Sequence, residues 1–282
     1  MRSFLSLVCG IVAVLAALLT VPAMWVSHNI ASEDGYVAFA EPIARDSQFH
    51  DSLAGVLSDE LVQNSALPAD LQTVARTAIV RITKQVVDEP GFVAAWDDTQ
   101  RQSHKIMLGE PRDLPPDLDS SQRFAIDLAP IGRFVVTRVN KDLPFALPAP
   151  QQMIVAVNGT TQQQMLDRIR QSPTYASKGL IAVGVFGALA LAFARRRSVA
   201  VVWLGLGTIA AAGILKVAAA KGVPEILDRN TAPTPFARTL LDVFVERANA
   251  SFDHWLLVLA VGGGIVVAVG GVARLVTSRS AD

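Results

Sequence analysis

Four uninterrupted apolar blocks constrain this 282-residue chain more than any other feature. The first runs from Phe4 to Trp25 without a charge. The second covers Tyr175–Ala194, with Lys178 near its start. The third covers Ser198–Val217, with Lys216 near its end, and the fourth Trp255–Val276, with Arg274 near its end. A helix needs about 20 apolar residues to cross the hydrocarbon core of a bilayer. A core helix of a soluble domain keeps a polar face, and none of these blocks has one. Four transmembrane helices are therefore expected. Charged residues make up 18% of the chain and hydrophobic ones 51%, with a mean hydropathy of +0.38. Soluble domains carry about 25% charge. A disordered chain needs low hydrophobicity and high net charge, and is excluded.

The charges at the block ends set an orientation. Arg2 precedes the first block, Arg195, Arg196 and Arg197 fill the turn between the second and third, and Arg279 follows the fourth. The positive-inside rule makes these ends cytoplasmic. Residues 27–174 and 218–254 then lie outside, and every acid except Asp282 falls in that outer part. Trp25 and Trp255 fall at outer ends, where aromatic anchors belong. The expected order is a helix over 1–26, an extracytoplasmic domain over 27–174, and spans at 175–194 and 198–217 joined by the 195–197 arginine turn. An outer loop over 218–254, a span at 255–276 and a cytoplasmic tail at 277–282 complete it. Both termini are cytoplasmic. Val21-Pro22-Ala23 has the small-x-small look of a signal-peptide cleavage site, which leaves a cleaved first helix open. The apolar run exceeds the roughly 7–15 residues of a signal peptide, which favours an uncleaved anchor.

Residues 27–174 are the stretch large enough for a separate core. Phe49, Leu53, Val56, Leu57 and Leu61 recur at helical spacing. Pro68 suits a first helical turn, and Leu71, Val74, Ala78, Ile79, Ile82 and Val86 follow on one face. Asp88-Glu89-Pro90-Gly91 breaks that helix, and a third runs from Phe92 to Leu108 with Gly109 as its cap. Residues 110–120 read as a proline- and aspartate-rich linker. Arg123–Leu128 alternates as a strand, with Phe124, Ile126 and Leu128 on one face. Ile131, Phe134, Val135, Arg138 and Val139 predict a helix, Leu143–Pro150 irregular structure, and Met153–Val157 a strand closed by Asn158-Gly159. A last helix starts near Gln162. The fold class is an α-helical membrane protein: four transmembrane helices with an α+β, mostly helical outer domain between spans one and two. Between spans three and four, Pro235, Phe236, Leu240, Val243, Phe244 and Arg247 predict an amphipathic helix, on the membrane surface or against the outer domain.

Several of these features occur together in a known family. The helix holds Phe92-x-x-x-Trp96 and Arg101-x-x-His104 and ends at Gly109-Glu110. A strand with Ile126-Asp127-Leu128 follows, then a helix and a proline-containing strand approach, all between one span and three more. This pattern resembles a family of actinobacterial four-span integral membrane proteins with an extracytoplasmic domain, for which no activity is established. The similarity covers most of the chain, best from about 74 to 216 and including the arginine turn. The family usually has Asn-Arg and Ala-His where this chain has Gln100-Arg101 and Ser103-His104. The resemblance implies the same topology and localisation, and supplies no activity. Arginine outnumbers lysine 19 to 6, which fits a GC-rich bacterial genome.

The densest polar constellation lies on the Phe92–Leu108 helix. Trp96, Gln100 and His104 are four residues apart and share a face, with Asp97 and Arg101 paired at the same spacing. These residues are a candidate ligand or partner site, with Trp96 as anchor. The competing reading is a packed helix whose Trp96 and His104 bond their polar tips inside the domain. A catalytic zinc usually takes three protein ligands, and His28, His50, His104 and His254 fall in no H-E-x-x-H or H-x-E pattern, so no metal is expected. His50-Asp51 reads as solvated helix surface and His254 as interfacial. Cys9, the single cysteine, reads as a buried membrane-helix thiol and excludes an intrachain disulfide or a multi-cysteine metal site. No nucleophile elbow, Walker loop or dinucleotide fingerprint occurs, so no catalytic residue and no cofactor is assigned.

Small residues four apart mark faces for close helix packing, within one chain or between chains. They are Gly184, Ala188 and Ala192 in span two, Gly207 and Ala211 in span three, and Ala260, Gly264 and Ala268 in span four. The spans carry no acid, and transporters coupled to ions or protons usually carry one. The sequence thus points to a non-catalytic protein of the bacterial plasma membrane that displays an outer domain for binding, assembly or sensing. Expected partners are the lipid bilayer, another envelope protein or a second copy. Zero net charge gives no field for nucleic acid. The alternatives are an envelope enzyme with a site near His104, or a small-molecule transporter.

Overall fold

A computed structural model describes residues 1–109, 125–157, 163–229 and 234–279. The expected linker at 110–120, the first residues of the Arg123–Leu128 strand, the Asn158-Gly159 turn and the end of the tail lie outside the described residues. The order is α1 (Arg2–Val26), a π-helical turn (Ser27–Ala31), α2 (Glu33–Ala40), a 3-10 turn (Glu41–Arg45), α3 (Ser47–Gln63), α4 (Ala69–Val86), α5 (Pro90–Leu108), β1 (Ala125–Asp127), α6 (Ala129–Val139), β2 (Ile154–Ala156), α7 (Gln163–Phe193), α8 (Arg197–Arg229) and α9 (Pro235–Arg279). Two compact units emerge. Residues 1–28, 168–226 and 248–282 form a helical unit, and residues 29–167 and 227–247 form a domain.

Among the described residues, four helices are long and apolar enough to cross a membrane: Arg2–Ala31, Met165–Phe193, Arg197–Val223 and Pro235–Leu275. The helices outrun the apolar blocks. α7 begins before the expected start of span two and carries Pro173 within it. α8 continues to Arg229, and α9 runs 45 residues, so the amphipathic segment and the fourth apolar block are one helix rather than a loop helix and a span. Hydropathy marks where apolar side chains end. It does not mark where backbone hydrogen bonding ends, and polar helix continues past it. The arginine turn is as short as expected, with α7 ending at Phe193 and α8 starting at Arg197.

The helices of this unit meet through small residues. A Cβ on Gly205 would lie 2.7 Å from the Gly263 carbonyl oxygen, and one on Gly263 would lie 2.9 Å from that of Gly205. Gly270 is equally close to Val202 and Ser198 O, at 2.8 and 3.0 Å, and Gly207 to Val14. The α8–α9 contact thus uses Gly263 and Gly270. Among the described residues, Gly264 has nothing within 4 Å of its Cβ position, and neither has Gly184. Ala188, Ala192 and Ala268 are exposed and Ala260 is half-buried, whereas Ala211 is buried. Within the chain, the faces of Gly184–Ala188 and of Gly264–Ala268 therefore meet no partner helix among the described residues. Three successive glycines offer three faces, and the partner helix takes that of Gly263. The expected Gly207 and Ala211 face is packed.

The unit has two chemically distinct ends. Ser6 Oγ donates to Ala190 O at 2.7 Å, and Ser198 lies against Gly270. The start of α1, the arginine turn and the last third of α9 therefore share one end. At the other, Trp25 Nε1 donates to Ser251 Oγ at 3.2 Å, Trp25 packs edge-on against Phe252, and Lys216 pairs with Asp253. The His28 and Trp255 rings lie 5.9 Å apart at the same end.

The domain is built on local signals. Asp46 caps α3 by accepting from Phe49 N at 2.9 Å. Proline occupies the first turn of α5 and of α6, where its missing N–H costs no helical bond. Gly109 receives the end of α5 in extended conformation with its N–H on Lys105 O, rather than in the left-handed form. α2 and the 3-10 turn after it have no counterpart in the sequence reading. Ser32 caps α2 from its side chain, Glu33 and Asp34 suit its positive first turn, and Tyr36, Val37, Phe39 and Ala40 are buried. β1 and β2 pair antiparallel, with Ile126 opposite Val155. Ala125, Ile126 and Asp127 are all buried, so this strand has no solvent face. The core gathers Phe49, Leu53, Leu57, Ile79, Phe92, Trp96, Leu128, Ile131 and Val135, and takes in Phe236 and Leu240 from the first turns of α9. The amphipathic segment therefore packs against the domain. The compact domain closes at Asp167 rather than at 174 and also includes Leu227–Arg247.

Candidate functional site

The i, i+4 spacing on α5 does put Trp96, Gln100 and His104 on one face, and that face points inward. Their exposures are 0%, 2% and 7%. Trp96 Nε1 donates to Ala40 O at 2.9 Å, satisfying a carbonyl at the end of α2, and Phe49 meets the indole edge-on at 4.8 Å between centroids. His104 Nε2 donates to Ile30 O at 3.1 Å, so its proton sits on that nitrogen. Its ring lies 5.3 Å from that of Tyr36, which in turn leans on Phe244. Burial pushes the Tyr36 phenol well above its usual range. Gln100 differs from its neighbours: its side-chain Nε2 is buried and has no hydrogen-bond partner among the described residues.

Arg101 faces outward. It pairs with Asp98 at 3.4 Å rather than with Asp97; Asp98 is exposed and Arg101 half-buried. The three-residue separation brings Asp98 as close to Arg101 on the helix surface as the four-residue one brings Asp97. Burial raises the Asp97 carboxyl above its ordinary value; Arg101 opposes the rise, and Glu41 and Asp98 add to it. The four candidate residues are thus divided. Three line the interior, and Arg101 stands on the surface.

A second polar centre lies beside them. Ser103 Oγ donates to Thr99 O at 2.6 Å and accepts from Asp127 N at 3.0 Å, tying α5 to β1. Asp127 Oδ1 accepts from Ala129 N at 2.9 Å and from Met153 N at 3.0 Å. One carboxylate oxygen thereby starts α6 and holds the entry to β2. Ionised, such a carboxylate makes the stronger, charge-assisted kind of hydrogen bond. Asp127-Leu128-Ala129-Pro130 carries the acid-then-proline signature of a helix start, and would have revealed this role.

The remaining histidines are spread out. His50 Nε2 donates to Ala44 O at 2.6 Å and its ring meets Phe92 edge-on, so His50 is tied down rather than solvated. Asp51 pairs with Lys84 at 2.6 Å on the surface, and Lys84 holds its carboxyl below the usual range. His254 is exposed. Among the described residues, no three His, Cys, Asp or Glu side chains gather as metal ligands would. Chemically, the α5 face and Asp127 hold backbone carbonyls and amides in place, and the bonds to Ala40 O, Ile30 O, Asp127 N and Met153 N join segments distant in sequence. Comparison with protein-family models, with curated proteins and with solved structures finds no match to this chain.

Proposed function

We propose that this chain is a multi-pass protein of a bacterial plasma membrane that displays the domain of residues 29–167 and 227–247 outside the cytoplasm. Its role there is non-catalytic: binding, assembly or sensing in the cell envelope. The observation that carries the reading is the sorting of charge between the two ends of the helical unit. Arg2, the Arg195–Arg197 turn and the arginine-bearing end of α9 gather at one end. Trp25, Trp255 and the Lys216–Asp253 pair mark the other. Arginine-rich short segments stay in the cytoplasm because their translocation is disfavoured, and tryptophan favours the interface. The resemblance to actinobacterial four-span proteins supports the same topology.

The non-catalytic part rests on how the best polar candidates are used. Trp96, Ser103, His104 and Asp127 each spend a polar atom on the domain's own backbone. The open small-residue faces at Gly184–Ala188 and Gly264–Ala268 suit association with a second copy or another envelope protein. Reporter fusions test the topology. Fusions after Ser198 and after Asp282 are expected to be active only as cytoplasmic reporters, and a fusion within 143–150 only as an external one. External activity after Ser198 or Asp282 would overturn the proposal.

A further inference from the structure

The helical unit contains a groove of about 810 Å³ that the proposed role does not use. Its walls come from α1, the end of α7 and the first half of α8. Leu7, Ile11, Leu15, Val199 and Leu206 give it an apolar length, and Trp203, 69% exposed, forms part of its side. At one end the lining changes to Arg195 and Arg196. Both arginines are exposed and have no carboxylate partner among the described residues. The α1 wall runs from Ser3 to Leu15, which at 1.5 Å per residue is roughly 18 Å. That is a little over half of the ~30 Å hydrocarbon core, about the depth of one leaflet.

We propose that this groove is a binding site for one anionic phospholipid of the leaflet at the arginine end. An acyl chain lies along the apolar wall and the headgroup phosphate sits between Arg195 and Arg196. The argument is complementarity in two properties at once. An open apolar trough one leaflet deep matches a chain and not a soluble metabolite. Two uncompensated guanidiniums at its mouth match a phosphate, which they grip through paired N–H donors. A zwitterionic lipid offers the same chain but carries its own cation, which the arginines repel. Basic pockets between helices at a membrane surface take anionic headgroups for this reason. The inference rests on the membrane-spanning part of the proposed function and not on which side is cytoplasmic.

The experiment uses the full chain in detergent, with lipid adducts counted by native mass spectrometry. The probes are phosphatidylglycerol and phosphatidylethanolamine with identical acyl chains. One retained phosphatidylglycerol, preferred about tenfold or more over phosphatidylethanolamine, is expected for two arginine contacts. R195Q/R196Q should remove that preference. R2Q/R197Q makes the same charge change at the same end with residues that do not line the groove, and should leave the preference within about twofold. Ala210→Phe fills the trough from an exposed position and should lower retention of both lipids, whereas Ala218→Phe, exposed on the same helix but outside the groove, should not. Thermal melting of each variant separates loss of the site from loss of the fold. Equal retention of the two lipids, equal loss in both arginine variants, or full binding with the trough filled would each overturn the proposal. So would an intact mass lacking α1, because the groove then loses a wall. Failure of the reporter fusions alone would reverse the sidedness and leave the groove untouched.

Discussion

The two units solve the burial problem in opposite ways. In the domain, the fully buried side chains are large: Trp96, Phe49, Phe92, Leu53 and Ile79. In the helical unit, the buried residues are mostly small, among them Cys9, Ala13, Thr20, Ala190, Ala211 and Ala212, while Phe4, Leu7, Ile181, Trp203, Ile265 and Val269 are exposed. Water drives large apolar groups inward, and this drive dominates the domain. Lipid tails are as apolar as leucine, so the helical unit gains nothing by hiding its large side chains. What it gains comes from close backbone approach, which needs glycine, alanine and threonine. The inversion between the units is thus a statement about solvent: one was shaped against water, the other suits hydrocarbon.

This contrast can be broken at several points, in descending order of effect. Trp96→Ala should be the most damaging single change, because it empties a large site and strands the Ala40 carbonyl. About 3–5 kcal/mol is expected, read from the denaturant unfolding of the domain in the full-length protein. An unchanged midpoint would mean that the domain does not depend on its largest buried ring. Asp127→Ala should follow, at about 2–4 kcal/mol, since two buried N–H donors lose one acceptor. Asp127→Asn, which keeps an acceptor oxygen, should recover part of the loss in the same titration.

The helical unit should respond to a different residue class. Gly263→Leu is expected to cost about 1–3 kcal/mol by forcing α8 and α9 apart at Gly205. Gly264→Leu, one position on and facing open space, should leave the monomer's thermal stability unchanged. A change in particle size with Gly264→Leu and no change in monomer stability would place that face between chains. The smallest effect belongs to the surface pair of Asp51 and Lys84. The folded carboxyl titrates below its ordinary value, so its contribution is present above the unfolded carboxylate range and is lost as the pH falls through the lowered value. Lys84→Gln should therefore lower stability slightly above the carboxylate range, flatten the acid side of the stability–pH curve, and leave the low-pH limit as it was.

Sequence signals with strong punctuation proved readable. The start of α4 follows from Pro68, the break before α5 from Asp88-Glu89-Pro90-Gly91, and the end of α5 from Gly109, whereas the Pro130 start of α6 went unread. α2 escaped notice because eight residues are too few to establish a period, although its Ser-Glu-Asp start is a fair capping signal. The inward face of α5 was visible as a spacing. Its partners were not, because Ala40 O and Ile30 O lie 56 and 74 residues away along the chain and belong to backbone, which has no sequence signature. The helix-packing faces failed for a related reason. The four-residue interval singles out Gly264, flanked by Ala260 and Ala268, whereas the α8–α9 contact uses Gly263 and Gly270, seven residues apart.

The double acceptance at Asp127 has a kinetic consequence. The amides of Ala129 and Met153 are 24 residues apart, yet both N–H groups end on the same oxygen. Neither can exchange with solvent deuterium by fraying of a helix or strand end alone while that carboxylate holds its position. Their exchange is tied to a single opening event, one that separates α6 from β2, and the two rates should rise together under mild denaturant. Amides held only by their own helix, such as those of the exposed turns of α4, open by local fluctuation. Two distant amides with one shared clock would therefore time the loosening of the domain's centre, independently of any change in its surface.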